Sequence, residues 1–143
     1  MTRCVVVSVI AISLSLSPAA VQAKPSDEVK IDWLLDAIAR VESNRNARAI
    51  GDRGRAVGTY QIHKRYWNDG TRFLGVDWSY DQAKNPAKAR QVVRAYLLHY
   101  GKDKTLLQKA RIHNGGPRGH RKKSTLKYAR RIARILERPD SES

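Results

Sequence analysis

Glu42 and Asp52 are the two carboxylates of this sequence whose settings could support proton chemistry. Glu42 closes a run in which Ile31, Leu34, Leu35, Ile38 and Val41 recur at steps of three and four. That spacing gathers them on one face of a helix turning about 100° per residue. Glu42 lies seven residues past Leu35 and four past Ile38, so it continues the same face. Ser43, Asn44 and Arg45 follow, and Asn44 suits a left-handed C-cap. The carboxyl is therefore expected at the C-terminal end of a helix, on its buried side. Burial disfavours the charged form, and so does the negative end of the helix dipole. Both effects predict a carboxyl that keeps its proton near neutral pH, as a general acid must. A glutamate at a helix end can equally turn into solvent or pair with Arg45 or Arg48.

The segment that follows is punctuated by Gly51, Gly54 and Gly58 and reads as a small glycine-rich hairpin. It would bring Thr59, Tyr60 and Gln61 back over the end of the first helix. Asp52 sits in that hairpin, ten residues beyond Glu42, where a second carboxylate could hold a water or stabilise a developing cation. Gly-Asp-x-Gly is also ordinary turn chemistry. Asp69 is a weaker candidate, placed as a turn residue before Gly70.

The motifs in this region carry a resemblance. V-E-S-N-R at 41–45 followed by G-T-Y-Q-I at 58–62 resembles the E-S and G-L-M-Q-I signature of soluble lytic transglycosylases and goose-type lysozymes. G-T-Y-Q-I-H-K-R-Y-W-N-D-G at 58–70 is similar to a segment of invertebrate-type lysozymes. A-R-I-H-N-G-G-P at 110–117 resembles the A-Y-N-A-G segment of lytic transglycosylases, and the helix carrying Tyr128 resembles the one after it. The likeness spans about 31–134 and implies the lysozyme-like fold. It implies a peptidoglycan-cleaving enzyme in which Glu42 protonates the oxygen leaving the muramic acid carbon. Asp52 would serve a hydrolytic route, whereas a transglycosylase route uses the substrate's own acetamido and C6 hydroxyl groups and needs no second carboxylate. Gln61 would orient Glu42 or the acetamido group, and Asn114 would hydrogen-bond sugar, or else only cap its helix. Tyr128 would lie near Glu42. Ser43, Tyr60, Trp78 and His113 complete the implied substrate-binding set, although His113 and Tyr60 replace the residues usual in lytic transglycosylases. Of the possible sugar platforms Tyr60, Tyr66, Trp67 and Trp78, the pair Tyr66 and Trp67 is assigned to the core.

The chain has 143 residues, room for one domain and a modest core. Residues 1–23 read as a signal peptide: a basic start with Arg3, an apolar run from Cys4 to Leu16, and Val21-Gln22-Ala23 as a cleavage site. Cys4 is the only cysteine, so the exported chain would have none. Invertebrate-type lysozymes are cysteine-rich, so that likeness is expected to be local. Residues 24–143 carry 27 basic and 13 acidic groups, a net charge of +14. Such a surplus suits peptidoglycan and anionic wall polymers, or is simply a solvated surface. No helix-turn-helix, zinc or aromatic RNA-binding signature points to specific nucleic acid. His63, His99, His113 and His120 lack metal-ligand spacing, and no cofactor is expected. The reading is an exported, periplasmic or secreted monomer without a membrane anchor after cleavage.

The elements that must position these residues follow in order. Residues 24–30 are a polar leader in which Ser26 or Asp27 can cap the first helix. A short helix over 61–68 should close at Gly70, and 71–84 lack periodicity. Asn85 as cap, Pro86 at the first helical position and Gly101 beyond the end frame a third helix, with Ala89, Val92, Val93, Tyr96 and Tyr100 facing inward. Thr105 caps a fourth helix ending at His113-Asn114. Ser124 opens a last one that Pro139 stops, leaving a tail over 139–143. The fold class is mainly α, a helical α+β lysozyme-like domain over 31–138 with one small β-hairpin beside the helix of Glu42. The alternatives are a lysozyme-like module that holds glycan without cutting it, and a secreted polyanion binder.

Overall fold

The computed structural model describes residues 26–138, which form five α-helices and one two-stranded antiparallel sheet. The signal segment, the Pro139 stop and the tail lie outside the described residues. Ser26 starts α1 (Asp27–Ser43): its hydroxyl accepts from the Val29 amide at 3.3 Å, and Asp27 and Glu28 occupy the first turn, where the helix dipole favours anions. Asp27 to Lys30, read as leader, belong to this helix. At the other end Asn44 takes the left-handed conformation, φ 51° and ψ 43°, and its amide bonds the Arg40 carbonyl. The C-cap stands as expected.

Ile31, Leu34, Leu35 and Ile38 of α1 are all but inaccessible and meet Trp67, Leu97, Ile112 and Ile132 in one core. The flank of α1 beside this stripe is polar and ionic. Arg90 bonds Asp32 at 3.1 Å and Asp36 at 2.6 Å, and Arg94 bonds Asp32 at 2.9 Å and also Glu28. The hairpin pairs β1 (Ile50–Gly51) with β2 (Ala56–Val57), Ile50 opposite Val57. An isolated bridge from Val57 to Ile62 extends it.

The second helix differs from expectation. α2 (Lys64–Leu74) begins later and runs through Gly70 to a left-handed cap at Gly75. Gly70 is there for approach, not termination. A Cβ on it would stand 2.6 Å from Val92 Cγ1 and 2.8 Å from the Val92 carbonyl oxygen, so glycine lets α2 lie against α3. Residues 80–84 then form a 3₁₀ turn. α3 (Pro86–Tyr100) has the cap, first residue and end that its sequence predicts. α4 (Leu106–Gly115) opens on a capping box between Thr105 and Gln108 and ends one residue past Asn114.

α5 (Leu126–Glu137) starts two residues later than Ser124, because 123–125 form a 3₁₀ turn. Thr125 is nearly inaccessible, and its hydroxyl donates toward the Gly119 or Lys122 carbonyl while accepting from Arg111 Nε at 2.9 Å. That work inside the loop takes Thr125 and Ser124 out of the helix. No helix among the described residues is long and apolar enough to cross a membrane.

Candidate active site

Five elements converge on a cleft of about 640 Å³, within the range of small-molecule sites. α1 supplies Glu42; the hairpin and the turn after it supply Asp52, Gln61 and His63; α4 supplies His113 and Asn114. Arg65, Tyr66 and Asp69 of α2, with Tyr96 and Tyr100 of α3, complete the wall.

Glu42 is placed as its periodicity predicts, with a side chain 18% exposed. His113 Nε2 stands 3.5 Å from Glu42 Oε1. The other nitrogen of that ring, Nδ1, is 3.0 Å from the Tyr66 hydroxyl. Tyr66 stacks on Tyr96 with ring centres 3.6 Å apart, which holds the phenol in place. Beside the Glu42–His113 pair stands Tyr128, its ring centre 6.4 Å from that of His113, and its buried hydroxyl meets no partner in hydrogen-bond geometry.

The expected proton affinity of Glu42 is overturned. Burial does push its pKa up, but the hydrogen-bonding contact and charge of His113, then Tyr128 and the Arg131 charge, together outweigh burial and hold it below the ordinary carboxylate value. Helix position and burial were visible in the sequence, whereas the partners contributed by α4 and α5 were not. Glu42 in turn acts on Tyr128: burial first, then the carboxylate's charge, lifts that hydroxyl well above its usual range. Tyr66 is likewise lifted, chiefly by burial, and stays a neutral phenol.

Asp52 stands in the same cleft, not merely in a turn. Its carboxylate meets Arg55 Nη2 at 2.8 Å and His63 Nε2 at 3.3 Å, and 41% of the side chain is exposed. Asp52 itself has φ 47°, and Arg53 after it φ 56°. Gln61 also adopts a left-handed φ, 48°, and donates from Nε2 to the Gly58 carbonyl at 3.0 Å. Its amide oxygen fills the space left by the missing side chain of Gly51: a Cβ there would lie 2.2 Å from Oε1. Ser43 takes a different part from the one implied. Its hydroxyl donates to the Thr59 carbonyl at 2.8 Å and so ties the end of α1 to the hairpin.

Two implied sugar platforms are elsewhere. Tyr60 is buried, and its hydroxyl accepts from Arg90 Nη1 at 3.3 Å, outside the cleft lining. Trp78 accepts the Trp67 indole N–H on its carbonyl at 2.8 Å and carries Lys88 Nζ over its ring at 4.9 Å, away from the cleft. Each belongs to a packing contact that the chain order did not show. Asn114 is exposed at the rim, in the last turn of α4 and not at its cap. Asp69 lies inside α2 and holds Arg72 and Tyr100, at 3.0 and 3.2 Å. Tyr66, Tyr96 and Tyr100, assigned to the core, also face the cleft. The i, i+4 spacing of Tyr96 and Tyr100 fitted a buried stripe, and only the proximity of α2 shows that the stripe's edge is open.

A mainly helical domain, with a cleft between a helix-borne glutamate and a small hairpin, has the lysozyme-like fold. The chain belongs to the Destabilase family, whose model matches residues 32–135. It is 40% identical to a lysozyme of Ostrea edulis over 105 residues, 68% of this chain and 74% of that one. It is also 40% identical to a lysozyme of Magallana gigas over 85 residues, 54% of this chain. The match spans only 58% of that relative's length. A chain in the crystal structure of Aeromonas hydrophila PliI in complex with Meretrix lusoria lysozyme superposes with a TM-score of 0.63 at 33% identity, over 72% of this chain and 88% of that one. The invertebrate-type likeness therefore extends well beyond 58–70, and the missing cysteines do not confine it. These matches give no support to the goose-type and lytic transglycosylase half of the resemblance.

Proposed function

We propose that the protein is a muramidase that hydrolyses the β-1,4 bond between N-acetylmuramic acid and N-acetylglucosamine in peptidoglycan. The observation that carries this reading is the placement of Glu42 and Asp52 in one cleft, each beside a histidine. Glu42 delivers a proton to the leaving glycosidic oxygen. Asp52, more exposed and held by Arg55, faces the positive charge that develops on the sugar carbon. Water then adds to that carbon, and its proton returns to Glu42. Gln61 and Asn114 offer amide groups to the acetamido substituents from two sides of the cleft. The family and the lysozyme relatives favour this hydrolytic route over internal transfer to the C6 hydroxyl.

Charge favours the same substrate. Lys127, Arg130, Arg131 and Arg134 lie within an arc of about 100° on the exposed side of α5. None of the four reaches a carboxylate within salt-bridge distance among the described residues. This ridge would attract the anionic polymers of a cell wall from a distance set by ionic strength.

The test is digestion of purified peptidoglycan followed by mass analysis. Hydrolysis leaves ends about 18 Da heavier than anhydro ends, because water and not the C6 hydroxyl is the nucleophile. Glu42→Gln is expected to lose about 10²–10⁴-fold in rate, and Asp52→Asn to be strongly impaired. Anhydro ends from the wild type, or full activity in Asp52→Asn, would refute hydrolysis through Asp52. Glycan binding that persists in Glu42→Gln, with no cleavage by the wild type, would favour a binding module instead.

A further inference from the structure

We infer that His113 is a positioning residue that stores the catalytic proton: one proton is shared between His113 Nε2 and Glu42, resting on the histidine in the open cleft and passing to the carboxylate as a sugar strand closes it. The inference rests on the role proposed for Glu42 and adds to it the place from which the proton comes. It starts from the contradiction that a general acid must carry a proton while Glu42 is surrounded by groups that favour its ionised form.

The geometry supplies the source. His113 is among the most enclosed polar residues of the protein, with only 4% of its side chain exposed. Both of its ring nitrogens have defined counterparts, Tyr66 Oη at 3.0 Å and Glu42 Oε1 at 3.5 Å. Tyr66 is fixed by its stack on Tyr96 and remains a phenol, so it can accept from Nδ1–H without taking the proton away. A ring whose Nδ1 proton is held in this way has one proton free to leave, the one on Nε2, and that nitrogen faces Glu42. When it moves, an imidazolium–carboxylate pair becomes a neutral imidazole and a carboxylic acid. No other reactant is needed.

Substrate supplies the drive. The cleft is open to water, which reaches the exposed 18% of the Glu42 side chain; a bound glycan removes that water. In a drier site an ion pair loses solvation that its mutual attraction does not fully restore, and the neutral pair gains relative to it. The other groups facing the pair do not compete for the proton. Tyr128 stays protonated on α5, where Arg131 adds only its charge, Tyr66 and Tyr96 are phenols on α2 and α3, and Asp52 and His63 are paired with one another across the cleft. The contact of 3.5 Å is long for a proton transfer, and such contacts shorten when substrate binds.

The alkaline limb of the kcat profile then belongs to the pair and not to a lone carboxyl. An ordinary carboxyl gives up its proton about two pH units below an imidazole. His113→Gln keeps a polar group of similar reach and cannot store a proton. It is expected to retain measurable cleavage in acid and to move the alkaline limb about one unit towards lower pH. An unmoved limb would overturn proton sharing. A measurement on the unmutated protein guards against a folding defect in that variant: the ¹³C signal of the Glu42 carboxyl and the ¹⁵N signals of the His113 ring should change over one common pH interval. Independent transitions would overturn the inference. Glu42→Gln separates the two levels of the argument. If it still cleaves peptidoglycan, the role of Glu42 falls. If it is inactive while His113→Gln keeps the wild-type limb, only the proton store falls.

Discussion

Gly51→Ala should separate activity from stability. Gly51 has φ −128° and ψ −178°, an extended backbone that alanine adopts without strain. The added methyl carbon would stand 2.2 Å from Gln61 Oε1 and 3.4 Å from its Cδ, while its next neighbour, Ala56 Cβ, is at 3.9 Å. The obstacle is thus the end of one flexible side chain, and Gln61 must swing away from the cleft wall. Leaving breaks its 3.0 Å bond to the Gly58 carbonyl, a loss of about 1 kcal/mol. Restricting the unfolded chain at residue 51 gains about 0.4–1 kcal/mol. The net change in stability is therefore within about 1 kcal/mol, a Tm shift of a few degrees at most. Cleavage should suffer far more, since a misplaced positioning group commonly lowers rate by about 10²-fold. Clearing of a peptidoglycan suspension beside a thermal melt reads both quantities. Gln61→Ala should show the same rate loss, and the double variant no further loss, because both changes remove one group. Wild-type turnover in Gly51→Ala, or a loss of stability above about 3 kcal/mol, would refute the reasoning.

Gly70→Ala should do the opposite, lowering stability by about 1–3 kcal/mol in denaturant unfolding, because the new methyl meets the Val92 backbone oxygen, which cannot step aside. Glu42 should leave a signature in acid. Its pKa is depressed in the fold, so its ionised form adds stability above the ordinary value of 4.5 and loses it as pH falls through the depressed one. The stability difference between wild type and Glu42→Gln should therefore hold down to about pH 4.5 and shrink from there to the depressed value; growth of the difference in acid would contradict the direction. Replacing Lys127, Arg130 and Arg134 with Gln should slow clearing of whole cells at low salt and leave cleavage of a soluble uncharged chito-oligosaccharide unchanged.

Periodicity, caps and helix breakers were enough for α1, α3 and the position of Glu42, because Ile31 to Glu42 and Asn85 to Gly101 carry local signals that packing did not override. They failed at Gly70 and Ser124. A glycine can end a helix or admit a neighbour, and only the approach of Val92 decides which. A serine can cap a helix, and only the enclosure of Thr125 shows that the loop claims it first. The site divides along the same line. Glu42, Asp52, Gln61, His113 and Asn114 share one cleft as their motifs implied, whereas Tyr60 and Trp78 do not, since an aromatic's side of the wall depends on elements far away in the chain. The proton affinity of Glu42 was the hardest property to foresee, being set by residues 71 and 89 positions distant, His113 and Arg131.

The ion pairs along α1 and α3 have an effect on the whole body. Glu28, Asp32 and Asp36 are engaged by Arg90 and Arg94, so that flank presents little net field, while α5 keeps its cations uncovered. The two helices thus meet an anionic polymer on unequal terms: the carboxylates of the α1 flank already have partners, whereas the exposed side of α5 offers Lys127, Arg130 and Arg134 as handholds. A strand of wall polymer that brushes the surface would be held longer along α5 than along that flank.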